Sequence, residues 1–192
     1  AADEAASETA EAASDEPESL LHRLLRRSGA PDAAFRARVL ARLAAHLPDP
    51  WKHQALATAR SISRAADRVD LLAELAPHLG EAERSDVLRE ALAAARDIVS
   101  DEDRAQALGT LAGHLSEESF EEALKIAETI GFGYWQAVAL GALAPHLPDP
   151  LQETALNTAQ TIEEAEYRFR ALAELAPHLS EPHRSSALQS VW

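Results

Sequence analysis

The chain has 192 residues, with 18 Lys+Arg against 32 Asp+Glu for a formal charge of -14, and it contains neither cysteine nor methionine. Without cysteine there is no disulfide framework, no thiolate zinc site and no thiol nucleophile. The acidic balance opposes a groove that tracks phosphates, and no run approaches the ~18 apolar residues of a membrane span, so neither nucleic acid nor a membrane is an expected partner.

Residues 1–18 (AADEAASETAEAASDEPE) carry seven acids and no base, half of the net charge, which leaves -7 for residues 19–192. Such a stretch buries too little apolar surface to offset its ordering entropy, and an acidic disordered tail or linker is expected. It lacks the basic start and apolar core of a signal peptide. With no targeting signal and no cysteine, the expected location is the cytoplasm. The start at Ala1 suggests a region of a longer polypeptide. SLLHRLLRR at 19–27 is expected to supply the second helix of a degenerate first unit.

From there the sequence repeats. The phrase LAxHL ends at 47, 79, 115, 147 and 179, with histidines His46, His78, His114, His146 and His178 spaced by 32, 36, 32 and 32. The long interval carries four extra residues after Leu79, about one helical turn. Before each histidine, leucines stand at six and three positions upstream: Leu40/Leu43, Leu72/Leu75, Leu108/Leu111, Leu140/Leu143 and Leu172/Leu175. Spacings of three, four and seven place them on one face of a leading helix. The residue five before the histidine is always small (Ala41, Ala73, Gly109, Gly141, Ala173), marking close approach between neighbouring helices. Downstream, PDPW at 48–51 and PDPL at 148–151 offer Asp as N-cap and Pro as first helical residue. A trailing helix then carries Ala-Leu-x-x-Ala-x-x-Ile, as in Ala55-Leu56…Ala59…Ile62.

Neither helix of such a pair hides its apolar stripe alone, so units bury it by stacking. The prediction is all-α: a right-handed α-solenoid over 19–192, with repeats at about 32–62, 64–98, 100–130, 132–162 and 164–192.

Two-helix units of this length resemble tetratricopeptide and HEAT-type repeats, although the early Trp, Gly and Tyr of the former are missing. The phrase R-A-x-A-L-x-x-L-A-P-H-L-P, followed by A-L-x-x-A-x-x-I, is more specific. It resembles the degenerate helical repeats near the C-termini of large bacterial signalling ATPases of the STAND type, and the likeness covers residues 35–192. The resemblance implies a sensor or partner-binding arm, with the ATPase elsewhere in the polypeptide.

Chemistry is sparse. Histidines one per repeat stand roughly 8–10 Å apart if helices pack normally, too far for a shared metal. A structural role closing the last turn and bonding loop carbonyls is expected instead. His22, His53 and His183 are expected to be solvated. Arg36, Arg68, Arg104 and Arg168 stand ten before the histidine, with Gln136 as the exception, and are read as structural donors or ion-pair partners rather than an anion-binding row. GFGYWQ at 131–136 reads as a turn between units rather than a phosphate loop. No catalytic, metal or cofactor residues are assigned.

The variable face of the leading helix carries the functional signal. Positions eleven, eight and four before the histidine read Phe35/Arg38/Arg42, Asp67/Asp70/Glu74, Asp103/Gln106/Thr110, Trp135/Val138/Ala142 and Tyr167/Arg170/Glu174. Units two and three are acidic and polar; unit four is apolar, with Phe132 and Tyr134 adjacent. Exposed aromatics on a concave wall serve as anchors for a docked peptide or helix. The competing reading folds Trp135 into the gap left by Gly131 and Gly133. The expected function is non-catalytic protein interaction through Phe35, Phe132, Tyr134, Trp135, Val138, Tyr167 and Arg170, with a partner segment from another protein or from the parent chain. The alternatives are an architectural or oligomerisation spacer and, behind it, a HEAT-like enzyme or nucleic-acid binder.

Overall fold

The computed structural model describes residues 33–190. The expected tail 1–18, the helix 19–27 with His22, and the final residues 191–192 lie outside the described residues.

All the described secondary structure is helical. Five leading helices, α1 (Ala33–Leu43), α3 (Ala65–Leu75), α5 (Asp101–Ala112), α7 (Gly133–Leu143) and α9 (Ala165–Leu175), alternate with five trailing ones. The trailing helices are α2 (Asp49–Arg60), α4 (Glu81–Arg96), α6 (Glu117–Glu128), α8 (Gln152–Gln160) and α10 (His183–Gln189).

Four leading helices tighten at the end into a one-turn 3-10 segment that finishes on the repeated histidine: Ala44–His46, Ala76–His78, Ala144–His146 and Ala176–His178. In three of them proline follows the alanine, and its missing N–H and bulky ring cannot continue the α-helical ladder. In α5 the same position is Gly113, and the helix simply stops at Ala112. The four extra residues appear as expected in α4, which runs 16 residues against 12 for α2 and α6.

The helix starts differ from the sequence expectation. Pro48, not Asp49, is the N-cap of α2; Asp49 is its first residue and accepts from Lys52 Nζ at 3.0 Å. That bonded ammonium holds the Asp49 carboxyl below its ordinary range. PDPL forms a separate 3-10 turn (Asp149–Leu151) before α8, where Asp149 accepts from Gln152 Nε2 at 2.7 Å. The side-chain cap belongs to Ser100, whose hydroxyl accepts from the Asp103 N–H at 3.2 Å.

The repeated leucines form the core, except Leu43 of the first unit, which is 41% exposed. Leu72, Leu75, Leu108, Leu111, Leu140, Leu143, Leu172 and Leu175 are all at most 1% exposed, and so are Leu56, Leu92 and Leu124 of the trailing helices. Each fully buried leucine is worth about 1.5–3 kcal/mol relative to exposure. The main helix contacts join neighbours in sequence (α1 with α2, α3 with α4) and next neighbours (α3 with α5, α7 with α9). Gly109 and Gly141 show the close approach expected of the small position, whereas Ala173 of the last unit is exposed. A methyl group on Gly109 would stand 3.4 Å from the Ala142 Cβ, and one on Gly141 3.2 Å from the Glu174 Cβ. Successive leading helices meet there, five before one histidine against four before the next.

Polar contacts repeat with the same period. Arg68 Nη1 donates to the Ile62 carbonyl at 2.6 Å, Arg104 Nε to Ile98 at 3.0 Å and Arg168 Nη1 to Ile162 at 2.8 Å. Each arginine thus ties off a carbonyl two residues beyond the end of the preceding trailing helix, where no helical N–H follows to pair it. Gln136, the exception in the row, is buried and donates to the Ala127 carbonyl at 3.3 Å. The side chain of Arg36 lies outside the described part of α1.

The histidines behave otherwise than expected. None of the five repeated rings hydrogen-bonds a loop carbonyl. Arg84 takes the Ala76 carbonyl at 3.2 Å and Arg184 takes Leu179 at 3.1 Å, because an arginine in the first turn of the trailing helix reaches back over the loop. His53 is not simply solvated: Nδ1 lies 2.7 Å from the Asp49 carbonyl oxygen and Nε2 3.4 Å from Glu83. His183 is half-buried. Trailing helices are bridged from the last turn of one to the next, by Arg60–Glu90 at 2.7 Å, Arg96–Glu122, Glu128–Thr158 at 3.0 Å and Gln160–Ser190 at 3.1 Å. Exposed pairs of this kind contribute about 0–1 kcal/mol each and mainly fix register.

Candidate functional site

Residues eleven, eight and four before the histidine escape the leucine stripe because they lie on the opposite side of each leading helix. Across α3 and α5 this face is charged and internally paired. Arg38 of α1 reaches Asp67 of α3 at 3.8 Å, and Arg42 reaches Glu74 at 4.0 Å. Arg64, just before α3, spans to Asp103 of α5 at 3.0 Å and also touches Asp67 at 3.5 Å. Its bond to Asp103 strengthens its already firm hold on its proton. Asp70 stands in this group with no salt bridge or hydrogen bond of its own. Crowding by surrounding atoms, followed by the negative charge of Asp67, pushes its carboxyl above the ordinary range.

Across α7 and α9 the same face is aromatic. Phe132 and Tyr167 meet edge-on with centroids 5.4 Å apart, Tyr134 and Tyr167 at 5.8 Å, and Tyr134 and Trp135 at 4.8 Å. Phe132 also lies 6.2 Å from Tyr134. Arg170 places its guanidinium 4.9 Å from the centre of the Tyr134 ring. Edge-to-face pairs of this kind add ~0.5–1.5 kcal/mol beyond area burial and hold the rings in fixed orientations. Beside them a hollow of 170 Å³ is lined by Ala137, Val138, Gly141, Ala142, Arg170 and Glu174.

Gly133 makes the cluster possible. A methyl group there would stand 2.9 Å from Ile162 Cγ2, 2.8 Å from Glu164 Oε2 and 3.2 Å from Tyr167 Cδ2. The gap at Gly133 is therefore filled by Ile162 at the end of its own unit and by Glu164 and Tyr167 of the next, not by Trp135. Gly131 faces Asp101, whose carboxylate accepts the Phe132 N–H at 2.8 Å and pins the turn before α7. Trp135, Val138 and Tyr167 are half-buried, packed on the core by one edge and open on the other. Phe132 is 46% exposed.

Of the seven residues expected from sequence, Phe132, Tyr134, Trp135, Val138, Tyr167 and Arg170 come together on α7, α9 and the turn before α7. Phe35 does not join them. It lies on α1, whose main helix contacts are with α2 and α3. The sequence reading placed Ala142 and Glu174 on the variable face without counting them among the contact residues, and it missed Ala137 and Gly141 as walls of the hollow, although the invariably small position five before the histidine pointed to Gly141.

Among the described residues no group of three His, Cys, Asp or Glu is placed to hold a metal ion, and no helix is long and apolar enough to cross a membrane. No protein-family model, curated protein or solved structure matches this chain.

Proposed function

We propose that the chain is a right-handed α-solenoid acting as a non-catalytic protein-interaction module, with a peptide or helix docking on the leading-helix wall at the aromatic cluster. The observation that carries this reading is the cluster itself: four aromatic rings and a stacked arginine beside a hollow floored by glycine and alanine. Half-exposed Tyr and Trp at the edge of a hollow are the residue types that dominate binding energy at interfaces. The stack is supported by helix contacts confined mainly to neighbours and next neighbours, as a one-dimensional array requires. Successive leading helices also pack more closely than successive trailing ones, which favours the leading layer as the inner, concave wall. The resemblance of the LAPHL phrase extends the proposal to a sensor arm of a larger bacterial signalling protein of the STAND type, working in the cytoplasm.

The test is selection of a random 16-residue peptide library on the immobilised chain. Enriched peptides should lose binding to Phe132→Ala and Tyr134→Ala variants that retain the wild-type helical signal and melting curve. Failure to enrich any peptide, or binding indifferent to both substitutions, overturns the docking reading.

A second reading, an oligomerisation module, is favoured by the last unit. Leu188 is 52% exposed where its counterparts Leu56, Leu92, Leu124 and Leu156 are 4% or less. Phe169 is likewise exposed where Val69, Ala105 and Ala137 are buried. A second copy of the chain covering this flank would give a mass that rises with concentration in light scattering, and Leu188→Glu would abolish the rise.

A further inference from the structure

The aromatic cluster is one end of a longer surface, and the chemistry of the other end bears on what docks there. On α3 and α5 the same three repeat positions present Asp67, Asp70, Glu74 and Asp103. Arg38, Arg42 and Arg64 answer Asp67, Glu74 and Asp103, mostly at 3.5–4.0 Å, with one closer contact at 3.0 Å between Arg64 and Asp103. Asp70 is left without a bonded cation, and its carboxyl is held above the ordinary range by its crowded setting and by Asp67. At the aromatic end the face of Tyr134 already holds a guanidinium, that of Arg170. The acidic end thus keeps one carboxylate, that of Asp70, with no cation bonded to it, whereas the aromatic end already carries its own cation in Arg170 and offers apolar surface.

We infer that the docked segment is a cationic peptide: Lys or Arg side chains lie over Asp70 and its neighbours on α3 and α5, while an apolar or aromatic anchor enters the hollow beside Tyr134 and Val138. The inference rests on the docking reading above and adds the partner's chemistry. It also fixes a span. Two steps between adjacent leading helices, at about 8–10 Å each, separate the α3 row from the α7 row, so the charges and the anchor are ~16–20 Å apart. That is about 5–6 residues of extended chain or about 11–13 residues of helix.

The same library selection, read for charge and spacing, tests the inference. Peptides enriched on the wild-type chain should carry net positive charge, with the basic residues separated from an apolar anchor by one of those two spacings. A synthesised copy of the leading peptide should bind the Asp70→Asn, Glu74→Gln double variant about 5-fold more weakly, the sum of two modest exposed charge contacts. Glu117→Gln with Glu153→Gln, which removes the same charge from the trailing helices, should change binding by less than about 2-fold. Neutral or acidic enriched peptides, or equal losses in the two double variants, overturn the cationic inference while leaving docking intact. Loss of sensitivity to Tyr134→Ala instead overturns the docking reading. If a peptide copying residues 19–27 (SLLHRLLRR) competes for the site with the selected one, that supports the cationic chemistry and identifies a source for it within the chain itself.

Discussion

The leading-helix wall over α3 and α5 and the wall over α7 and α9 occupy the same repeat positions and rest on the same leucine framework, yet they carry opposite chemistry. In the first, carboxylates are answered by arginines from the neighbouring units. In the second, two glycines in α7 (Gly133 and Gly141) let the next unit close in, and aromatic rings occupy the surface. The contrast separates what the repeat needs in order to stack from what each unit is free to vary. The leucines, the small position and the carbonyl-binding arginine belong to stacking; positions eleven, eight and four before the histidine do not.

The largest effect tests whether the framework is shared. Leu72→Ala and Leu140→Ala should each cost about 2–5 kcal/mol in urea unfolding, since both side chains are fully buried at equivalent repeat positions. A cost confined to one of them would mean that the two walls stand on different scaffolds. Next, Gly133→Ala should cost about 1–3 kcal/mol by crowding Ile162 and Tyr167, although Ala65 fills the same repeat position in α3 without harm. A neutral outcome would mean that the close approach is not needed to seat the aromatic cluster. Of similar or smaller size, Arg68→Ala should lose about 1–3 kcal/mol by leaving the Ile62 carbonyl unpaired, and Gln136→Ala only about 0.5–1.5 kcal/mol, since the Ala127 carbonyl keeps the Ile130 N–H at 3.2 Å. The two belong to opposite walls, and equal losses would mean that the Ile130 N–H does not hold the Ala127 carbonyl once the amide is gone.

The smallest effect is electrostatic and belongs to the acidic wall alone. Because the folded protein raises the Asp70 carboxyl above its ordinary value, the fold binds that proton more tightly than the unfolded chain does. The resulting contribution is fully present below the ordinary carboxylate value and is lost as pH rises through the raised one. Asp70→Asn should therefore be more stable than wild type at neutral pH, within about 0.5 kcal/mol, and the gap should close on acidification. Denaturant midpoints at pH 7 and pH 3.5 decide the sign.

Much of this was legible in the sequence because stacking imposes a period. The leucine spacing, the histidine at each helix end, the extra turn in α4 and the small position all follow from one helix leaning on its neighbour at a fixed offset. What escaped depends on which atoms of adjacent units meet. The loop carbonyls go to Arg84 and Arg184 rather than to the histidines, since only the three-dimensional course of the loop shows which side chain can reach them. The space at Gly133 is taken by Tyr167, thirty-four residues away in sequence and beyond any local pattern. Asp49 reads as a cap from its residue type, yet it enters the helix and bonds Lys52 one turn on.

The most direct measurement uses the tryptophans as reporters. With the chain labelled by 5-fluorotryptophan, titration of a selected peptide should shift the fluorine resonance of Trp135, half-open on the leading-helix wall, and leave that of Trp51, buried in α2, unmoved. A shift at Trp51 with Trp135 silent would place the partner on the trailing helices and contradict the account.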